Sequence, residues 1–154
     1  MELDTGDIDA LVTWSLIRAA HRAERRLTSL LADQGLTPVQ FGVLAYLATG
    51  ESFTQAQLAR AVLVRPQSLS GVLTGLEERG LVARRGARTK GRRNPLELTD
   101  AGHQCLGRAW PVVESVNTPQ TLGMTDAEAD ELNRTLLCIL RRPDSDTGPG
   151  ADGS

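Results

Sequence analysis

The sequence predicts a mainly α-helical protein with one small β-hairpin and with helices at both ends. Apolar residues recur at helical spacing along most of the chain, and three Thr-x-x-Gln or Thr-x-x-Glu signals mark helix starts. One basic, glycine-containing stretch separates two short alternating segments, as in a hairpin. A length of 154 residues fits one domain, because domains average about 100–200 residues.

The first helix is predicted from Ile8 to Leu31, after a disordered stretch at residues 1–7. It carries two adjoining apolar stripes, which indicates more than one buried face. Asp33-Gln34-Gly35 is expected to end it.

Three central helices follow, and their starts are clearly marked. Thr37 and Thr54 each have a Gln three residues later, which predicts a capping box, and Pro38 and Pro66 each suit a first helical position. The predicted helices run from Thr37 to about Gly50, from Thr54 to about Val62 and from Pro66 to Arg79.

The last third of the chain is predicted to hold the hairpin and two helices. The strands are Leu81–Arg85 and Pro95–Leu98, and the tip between them is basic. Thr99 should cap a helix to about Val116 that Pro111 kinks or breaks, and residues 117–124 form a connector. Thr125 and Glu128 start the final helix, and residues 143–154 are expected to be disordered.

The net charge of −2 hides a strong segregation. Residues 60–93 contain nine basic side chains and two acidic ones, whereas the rest of the chain contains eight basic and 17 acidic ones. Nearly all the basic residues are arginine. The planar guanidinium donates two parallel hydrogen bonds to a phosphate, and the arginine side chain also enters narrow minor grooves. The distribution is compatible with a nucleic-acid partner, against which the total charge argues. An isolated basic run is more often a solvated surface, so the motifs around this one decide between the two interpretations.

Several classes of protein are excluded by what the sequence lacks. Two cysteines make no disulfide framework, no apolar run is long enough for a membrane span, and the acidic N-terminus is unlike a signal peptide, so a cytoplasmic protein is expected. No phosphate-binding loop, nucleophile elbow or metalloprotease motif is present. We therefore expect no enzyme, no cofactor and no metal site. Cys138, set among leucines, is expected to be a buried filler, and neither it nor Cys105 is expected to be a redox sensor.

A short helix, a break and a helix with a small polar face form a helix-turn-helix pattern, and the basic hairpin that follows makes it winged. The second helix would enter the major groove while the hairpin reaches the backbone or the minor groove. The candidate DNA contacts of the recognition helix are Arg65, Gln67, Ser68, Ser70, Gly71 and Thr74. Those of the wing and its flank are Arg84, Arg88, Lys90, Arg92 and Arg93, and those to the DNA backbone are Thr54 and Gln55.

The chain resembles the MarR family of transcriptional regulators. The resemblance is carried by Leu76-Glu77-Glu78-Arg79-Gly80-Leu81-Val82-Ala83-Arg84 and by Leu96-Glu97-Leu98-Thr99-Asp100-Ala101-Gly102, and it extends over about residues 8–140. It implies a winged helix-turn-helix lobe at residues 36–99, flanked by dimerisation helices at 8–34 and 100–142. It also implies a homodimeric repressor of a pseudo-palindromic operator, released by a small, often phenolic, effector. Arg92 is expected to be the groove-inserting residue, with Arg93 and Arg88 as alternatives, because the Asp that usually precedes the wing arginine in this family is absent from residues 88–92.

The effector pocket implied by the resemblance would lie between the first, second and fifth helices. Its candidate lining is Trp14, Arg18, His21, Phe41, Ala45, Trp110 and Val113. Two alternatives stay open here: the tryptophans could be dimer core, and Arg18 could form an ordinary ion pair. At the level of function, the alternative is a winged helix that assembles with proteins and binds no specific DNA sequence.

Overall fold

The computed structural model describes residues 3–84 and 96–142, and it confirms a mainly α-helical fold with one antiparallel hairpin. The helices are α1 (Thr5–Asp9), α2 (Val12–Ala32), α3 (Pro38–Ala48), α4 (Gln55–Ala61), α5 (Pro66–Glu78), α6 (Asp100–Val116), α7 (Pro119–Leu122) and α8 (Asp126–Arg141). The strands are β1 (Val82–Arg84) and β2 (Leu96–Leu98), with Val82 opposite Leu98 and Arg84 opposite Leu96. The chain divides into two compact units, one ending at Ser115 and the other beginning at Val116.

The predicted helix starts are confirmed at all three capping boxes, which pair Thr37 with Gln40, Thr54 with Gln57 and Thr125 with Glu128. In the last of these, the Thr125 backbone N–H donates to Glu128 Oε2 at 2.8 Å, and so does the Thr125 hydroxyl. The backbone hydrogen bond, followed by the hydroxyl one, lowers the pKa of the Glu128 carboxyl. These bonds satisfy backbone groups that the first helical turn leaves unpaired.

The prediction for the N-terminus is wrong in two respects. Residues 5–9 are helical because Asp4 and Asp7 form a fourth capping box, with Asp7 N–H donating to Asp4 Oδ1 at 2.9 Å. The helix predicted from Ile8 is interrupted at residues 10–11, where Leu11 takes an extended conformation ahead of α2. The cap at Asp4 explains why the chain is helical before Ile8, and the extended Leu11 divides the predicted helix in two.

Pro111 lies inside α6 without ending it, so of the two predicted effects a break is excluded and a kink stays a prediction. Two other predictions need correction. The expected connector contains α7, which ends at Gly123 in the left-handed conformation. Cys138 is exposed on α8, whereas the other cysteine, Cys105, is buried in the core. The leucines beside Cys138 in the sequence lie on other sides of the same helix, so sequence neighbours do not bury it.

The core lies in the first unit, where leucines from α2 to α6 and the start of β1 meet. Its fully buried members are Leu31, Val43, Leu44, Leu58, Leu69, Leu73 and Leu76. Leu69, Leu73 and Leu76 fix the inward face of α5, so the polar residues of that helix must face outward.

The start of α6 is bound to the end of α5 through Thr99. Its hydroxyl donates to the Gly80 carbonyl at 2.6 Å, and its N–H donates to the Leu81 carbonyl at 3.2 Å. The same hydroxyl accepts the Gly102 N–H at 3.0 Å, as predicted for a helix cap. Hairpin, α5 and α6 therefore meet at one point.

The turn after α4 is closed by a leucine in a conformation that favours glycine. Leu63 has φ +55° and donates its N–H to the Arg60 carbonyl, while Val64 N–H donates to the Ala59 carbonyl, which is the Schellman pattern. Leu63 is 75% exposed, so packing of its side chain offsets little of the backbone strain energy.

We expect Leu63→Gly to raise the free energy of unfolding by about 0.5–1 kcal/mol. The left-handed conformation costs a side-chain-bearing residue about 1–2 kcal/mol, and the greater chain entropy of glycine cancels about half of that. Urea unfolding measures the change. Leu63→Ala is the matched control, because it loses the exposed side chain but keeps the strain. Equal stability of the glycine and alanine variants would show that no strain is stored here.

Candidate nucleic-acid interface

The exposed side of α5 follows directly from its buried leucines. Gln67, Gly71, Thr74 and Glu78 recur at spacings of three and four and are all exposed, so they form one face of the helix. Ser68 and Ser70 flank this face and are also exposed. All the residues predicted for base contact are thus brought to the surface of one helix.

The helix-turn-helix is joined by a hydrogen bond between its two helices. Gln55, in the first turn of α4, donates from Nε2 to Ser70 Oγ of α5 at 2.6 Å. Gln55 is half-buried, and Thr54 before it is the N-cap of α4. The two residues predicted at the DNA backbone therefore lie beside the recognition helix, and one of them sets the position of a side chain on it.

Backbone is accessible in the middle of α5. A Cβ built on Gly71 meets no atom within 4 Å. A groove edge or a phosphate could approach the helix closely here, because no side chain stands between them.

The N-terminus of α5 has unpaired donors and a positive charge. Arg65 is the N-cap and makes no capping hydrogen bond, and Pro66 at the first position has no N–H. The next N–H groups, of Gln67 and Ser68, have no carbonyl earlier in the helix to receive them. Together with the positive end of the helix dipole, this turn favours an anion such as a DNA phosphate.

The first strand of the hairpin, β1, is fixed to α5 by an ion pair. Arg84 Nε on β1 lies 2.8 Å from Glu77 Oε1 on α5, and both side chains are partly exposed. The charge of Arg84 is thereby balanced, and the ion pair orients β1 relative to α5. Arg88, Lys90, Arg92 and Arg93, predicted for the wing tip, lie outside the described residues.

The candidate effector residues fall into two groups. Phe41 on α3 and Trp110 on α6 have ring centroids 5.9 Å apart, and Phe41, Ala45 and Val113 pack against the core. Trp14, Arg18 and His21 lie on the exposed N-terminal half of α2.

The polar members of the α2 group have partners close by in sequence. Arg18 Nη1 lies 2.8 Å from Asp9 Oδ1, which is the ordinary ion pair that the sequence left open. His21 Nδ1 lies 3.9 Å from Glu24 Oε2.

A groove of about 340 Å³ lies elsewhere, where the end of α3 meets β2 and α6. Its lining includes Leu47, Glu51, Leu96, Glu97 and His103, and none of the predicted effector residues. Within residues 3–84 and 96–142 no cluster of His, Cys, Asp and Glu is suited to hold a metal ion. No helix in the described part of the chain is long and apolar enough to cross a membrane.

Three features of this interface were missed from the sequence. The Gln55–Ser70 bond joins residues 15 positions apart, and the Glu77–Arg84 pair requires the chain to reverse at Gly80. Gly80, with φ +66°, is the signal that could have revealed that reversal. The strained Leu63 gave no signal, because glycine is the residue expected at such a position.

Comparison with known proteins supports a DNA-binding regulator. Residues 34–93 match the model of the MarR family. The chain is 31% identical over 128 residues to an HTH-type transcriptional repressor of Mycobacterium tuberculosis, covering 83% of this chain and 92% of the relative.

Solved structures share the fold. A MarR family protein of Mycobacterium tuberculosis in complex with salicylic acid aligns with a TM-score of 0.68 and 30% identity, over 83% of this chain and 95% of that one. The transcriptional repressor CouR bound to a 23-mer DNA duplex aligns with a TM-score of 0.75 and 27% identity, over 92% of this chain and 100% of that one. CouR bound to p-coumaroyl-CoA aligns with a TM-score of 0.75 and 30% identity over the same shares.

Proposed function

The chain belongs to the MarR family of transcriptional regulators, and from this premise we propose that it is a homodimeric, sequence-specific repressor that binds double-stranded DNA. It leaves a pseudo-palindromic operator when a small aromatic effector binds. The observation that carries the proposal is the exposed polar face of α5, joined to α4 by the Gln55–Ser70 hydrogen bond. A relative of similar fold was solved on a DNA duplex.

On DNA, α5 enters the major groove and its N-terminal turn meets a phosphate. Arg65, Gln67, Ser68, Ser70, Gly71 and Thr74 form this part of the interface, with Thr54 and Gln55 at the neighbouring backbone. Arg84 orients the wing, and Arg88, Lys90, Arg92 and Arg93 supply its cations to the backbone or the minor groove. Support for the wing comes from the charge of residues 60–93.

The dimer is supported by α8, which has no buried residue although it carries an apolar stripe. Leu132, Leu136, Ile139 and Leu140 lie on one side of it, and of these only Leu136 is half-buried. A 16-residue helix with this pattern needs another surface to cover it, and a second copy supplies one. Two-fold symmetry then requires two half-sites about one helical turn of DNA apart.

For the effector we propose an aromatic acid or its thioester. Its ring packs on Phe41 and Trp110, against Ala45 and Val113, while Trp14, Arg18 and His21 of α2 complete the site. Support comes from the ring contact of 5.9 Å and from the salicylic acid and p-coumaroyl-CoA complexes of the two relatives. The effector favours a dimer whose recognition helices no longer match successive major grooves. We propose that the protein is not an enzyme and that it acts in the cytoplasm, in the compartment of the DNA that it regulates.

Selection of duplex DNA from a random pool by the purified full-length protein tests this function. We expect a two-fold symmetric sequence to be enriched, and electrophoretic shifts to show its release by salicylate-like acids or by their CoA thioesters. Enrichment of no sequence would contradict DNA recognition. A complex that survives the whole panel would contradict the effector class but leave the operator intact.

Replacing Arg92 and Arg93 together by alanine is expected to weaken operator binding at least tenfold. Each lost phosphate contact should also make the log–log salt dependence shallower by about 0.9. Fluorescence anisotropy at several salt concentrations measures both quantities. The matched control is the double alanine variant of Arg141 and Arg142, at the end of α8. Unchanged affinity and slope in the wing variant would remove these arginines from the interface.

A further inference from the structure

The hydrogen bonds along α5 leave only side chains of its first turn available to read a base pair. We infer that Gln67 is the specificity-determining residue of the recognition helix and that it reads an adenine in each half-site. This inference rests on the proposed DNA-binding function and deepens it, because it names the residue and the base.

Two of the hydroxyl groups on α5 already donate hydrogen bonds to backbone carbonyls of the same helix. Ser70 Oγ donates to the Pro66 carbonyl at 3.3 Å, and Thr74 Oγ1 donates to the Ser70 carbonyl at 3.0 Å. A hydroxyl has one proton, so neither residue has a donor left for a base edge. Ser70 also accepts the Gln55 amide at 2.6 Å, which makes Ser70 a positioning residue between the two helices.

The other positions of α5 leave few candidates for a side chain that reads a base. Gly71 and Gly75 have no side chain with which to read a base. The side chains of Gln67 and Ser68, by contrast, make no hydrogen bond within the described part of the chain, and both residues are exposed. On α5, the side-chain donors and acceptors that remain available for a base therefore lie in the first turn.

The charges of α5 select the same end. Arg65 and the positive end of the dipole mark its N-terminus, whereas exposed Glu78 lies on the outward face in its last turn. The first turn attracts phosphates, whereas at the last turn Glu77 is paired with Arg84 and Glu78 is followed by Arg79, so the opposite charges there are balanced. The helix therefore enters the groove by its N-terminal end, where Gln67 is the longer of the two uncommitted side chains.

The chemistry of the amide indicates the base. In the major groove, adenine presents an acceptor at N7 and a donor at N6, and the Gln amide carries a matching donor and acceptor in one plane. Ser68 has a single short hydroxyl, which contacts any base or a phosphate and discriminates little. A bidentate Gln–adenine contact discriminates against other bases by about 5- to 150-fold.

The test compares full-length wild type with Gln67→Ala and Gln67→Arg in parallel selections from random duplex DNA. Binding to the wild-type sequence and to its single base-pair variants is then measured by fluorescence anisotropy. We expect wild type to prefer A·T at one symmetric position, Gln67→Ala to lose that preference alone, and Gln67→Arg to prefer G·C there, since arginine pairs with guanine.

Ser68→Ala and Ser70→Ala are the matched controls. The first should keep the adenine preference, and the second should lower affinity without changing the base chosen at any position. Circular dichroism confirms that each variant is folded, as expected for exposed positions. A folded Gln67→Ala that keeps every base preference overturns the inference, and so does loss of the adenine preference in Ser68→Ala. A wild-type protein that enriches no sequence overturns the DNA-binding proposal as well.

Discussion

Gly102→Ala is expected to lower the free energy of unfolding by about 1–3 kcal/mol, after the helix preference of alanine is subtracted. A Cβ at this position would lie 2.0 Å from the Leu81 carbonyl oxygen, and 3.0 Å from Leu98 Cδ2. The oxygen cannot simply move away, because it belongs to the backbone and accepts the Thr99 N–H. Overpacking costs about 1–3 kcal/mol, and a broken hydrogen bond adds about 1 kcal/mol.

Gly107→Ala is the matched control, because Gly107 lies in the same helix and a Cβ there meets nothing within 4 Å. It should stabilise the protein by about 0.5–1 kcal/mol, since alanine favours helix. Thermal and urea unfolding of the two variants should therefore move in opposite directions. Similar stability of both variants would mean that α6 does not approach the chain at Leu81 as closely as described.

The second large effect is expected on assembly. Replacing Leu132 and Ile139 of α8 together by glutamate should convert the protein to a monomer at micromolar concentration. The two side chains are 37% and 47% exposed in the single chain, on the same side of the helix. Covering the part of each side chain that is still exposed contributes about 0.6–1.4 kcal/mol, and a two-fold interface counts each twice. Burying carboxylates in their place adds a desolvation cost of several kcal/mol, which removes most of the association energy.

Operator affinity should fall with the dimer, by about a hundredfold or more, because two linked half-sites gain from effective concentration. Analytical ultracentrifugation and anisotropy measure the two effects. The control places glutamates at Ala127 and Cys138, which lie on the opposite side of α8 and are exposed. A dimeric Leu132/Ile139 variant, or an equally monomeric control, would contradict the assignment of this face.

Local signals allowed much of the fold to be predicted. The boxes at Thr37, Thr54 and Thr125 each depend on residues three positions apart, so the sequence displays both partners together. The fourth box was missed because Asp7 in an acidic leader was interpreted as part of a disordered end. Leu63 was missed because strain imposed by the surrounding fold leaves no trace in residue type.

The sequence was enough to predict which residues lie on the candidate interface. It was not enough to predict which of them are available for DNA and which are bound to other side chains. Helical spacing alone places Gln67 and Ser70 on the outside of α5. Which of them is available for DNA depends on Gln55, whose contact with Ser70 follows only from the packing of α4 on α5. Arg84 was likewise predictable as a basic residue of the interface, whereas its pairing with Glu77 depends on the return of the chain along α5.

The connection at Thr99 has a mechanical consequence. α6 contains 17 residues and is therefore about 25 Å long. If its far end were held fixed, a turn of 10° would displace the Thr99 end by about 4 Å, slightly more than the rise of about 3.4 Å from one base to the next. Because the Thr99 hydroxyl and N–H hold the Gly80 and Leu81 carbonyls, α5 would be carried along over a similar distance. A small change in tilt, with no change inside the winged lobe, is therefore enough to move a recognition helix out of step with its half-site.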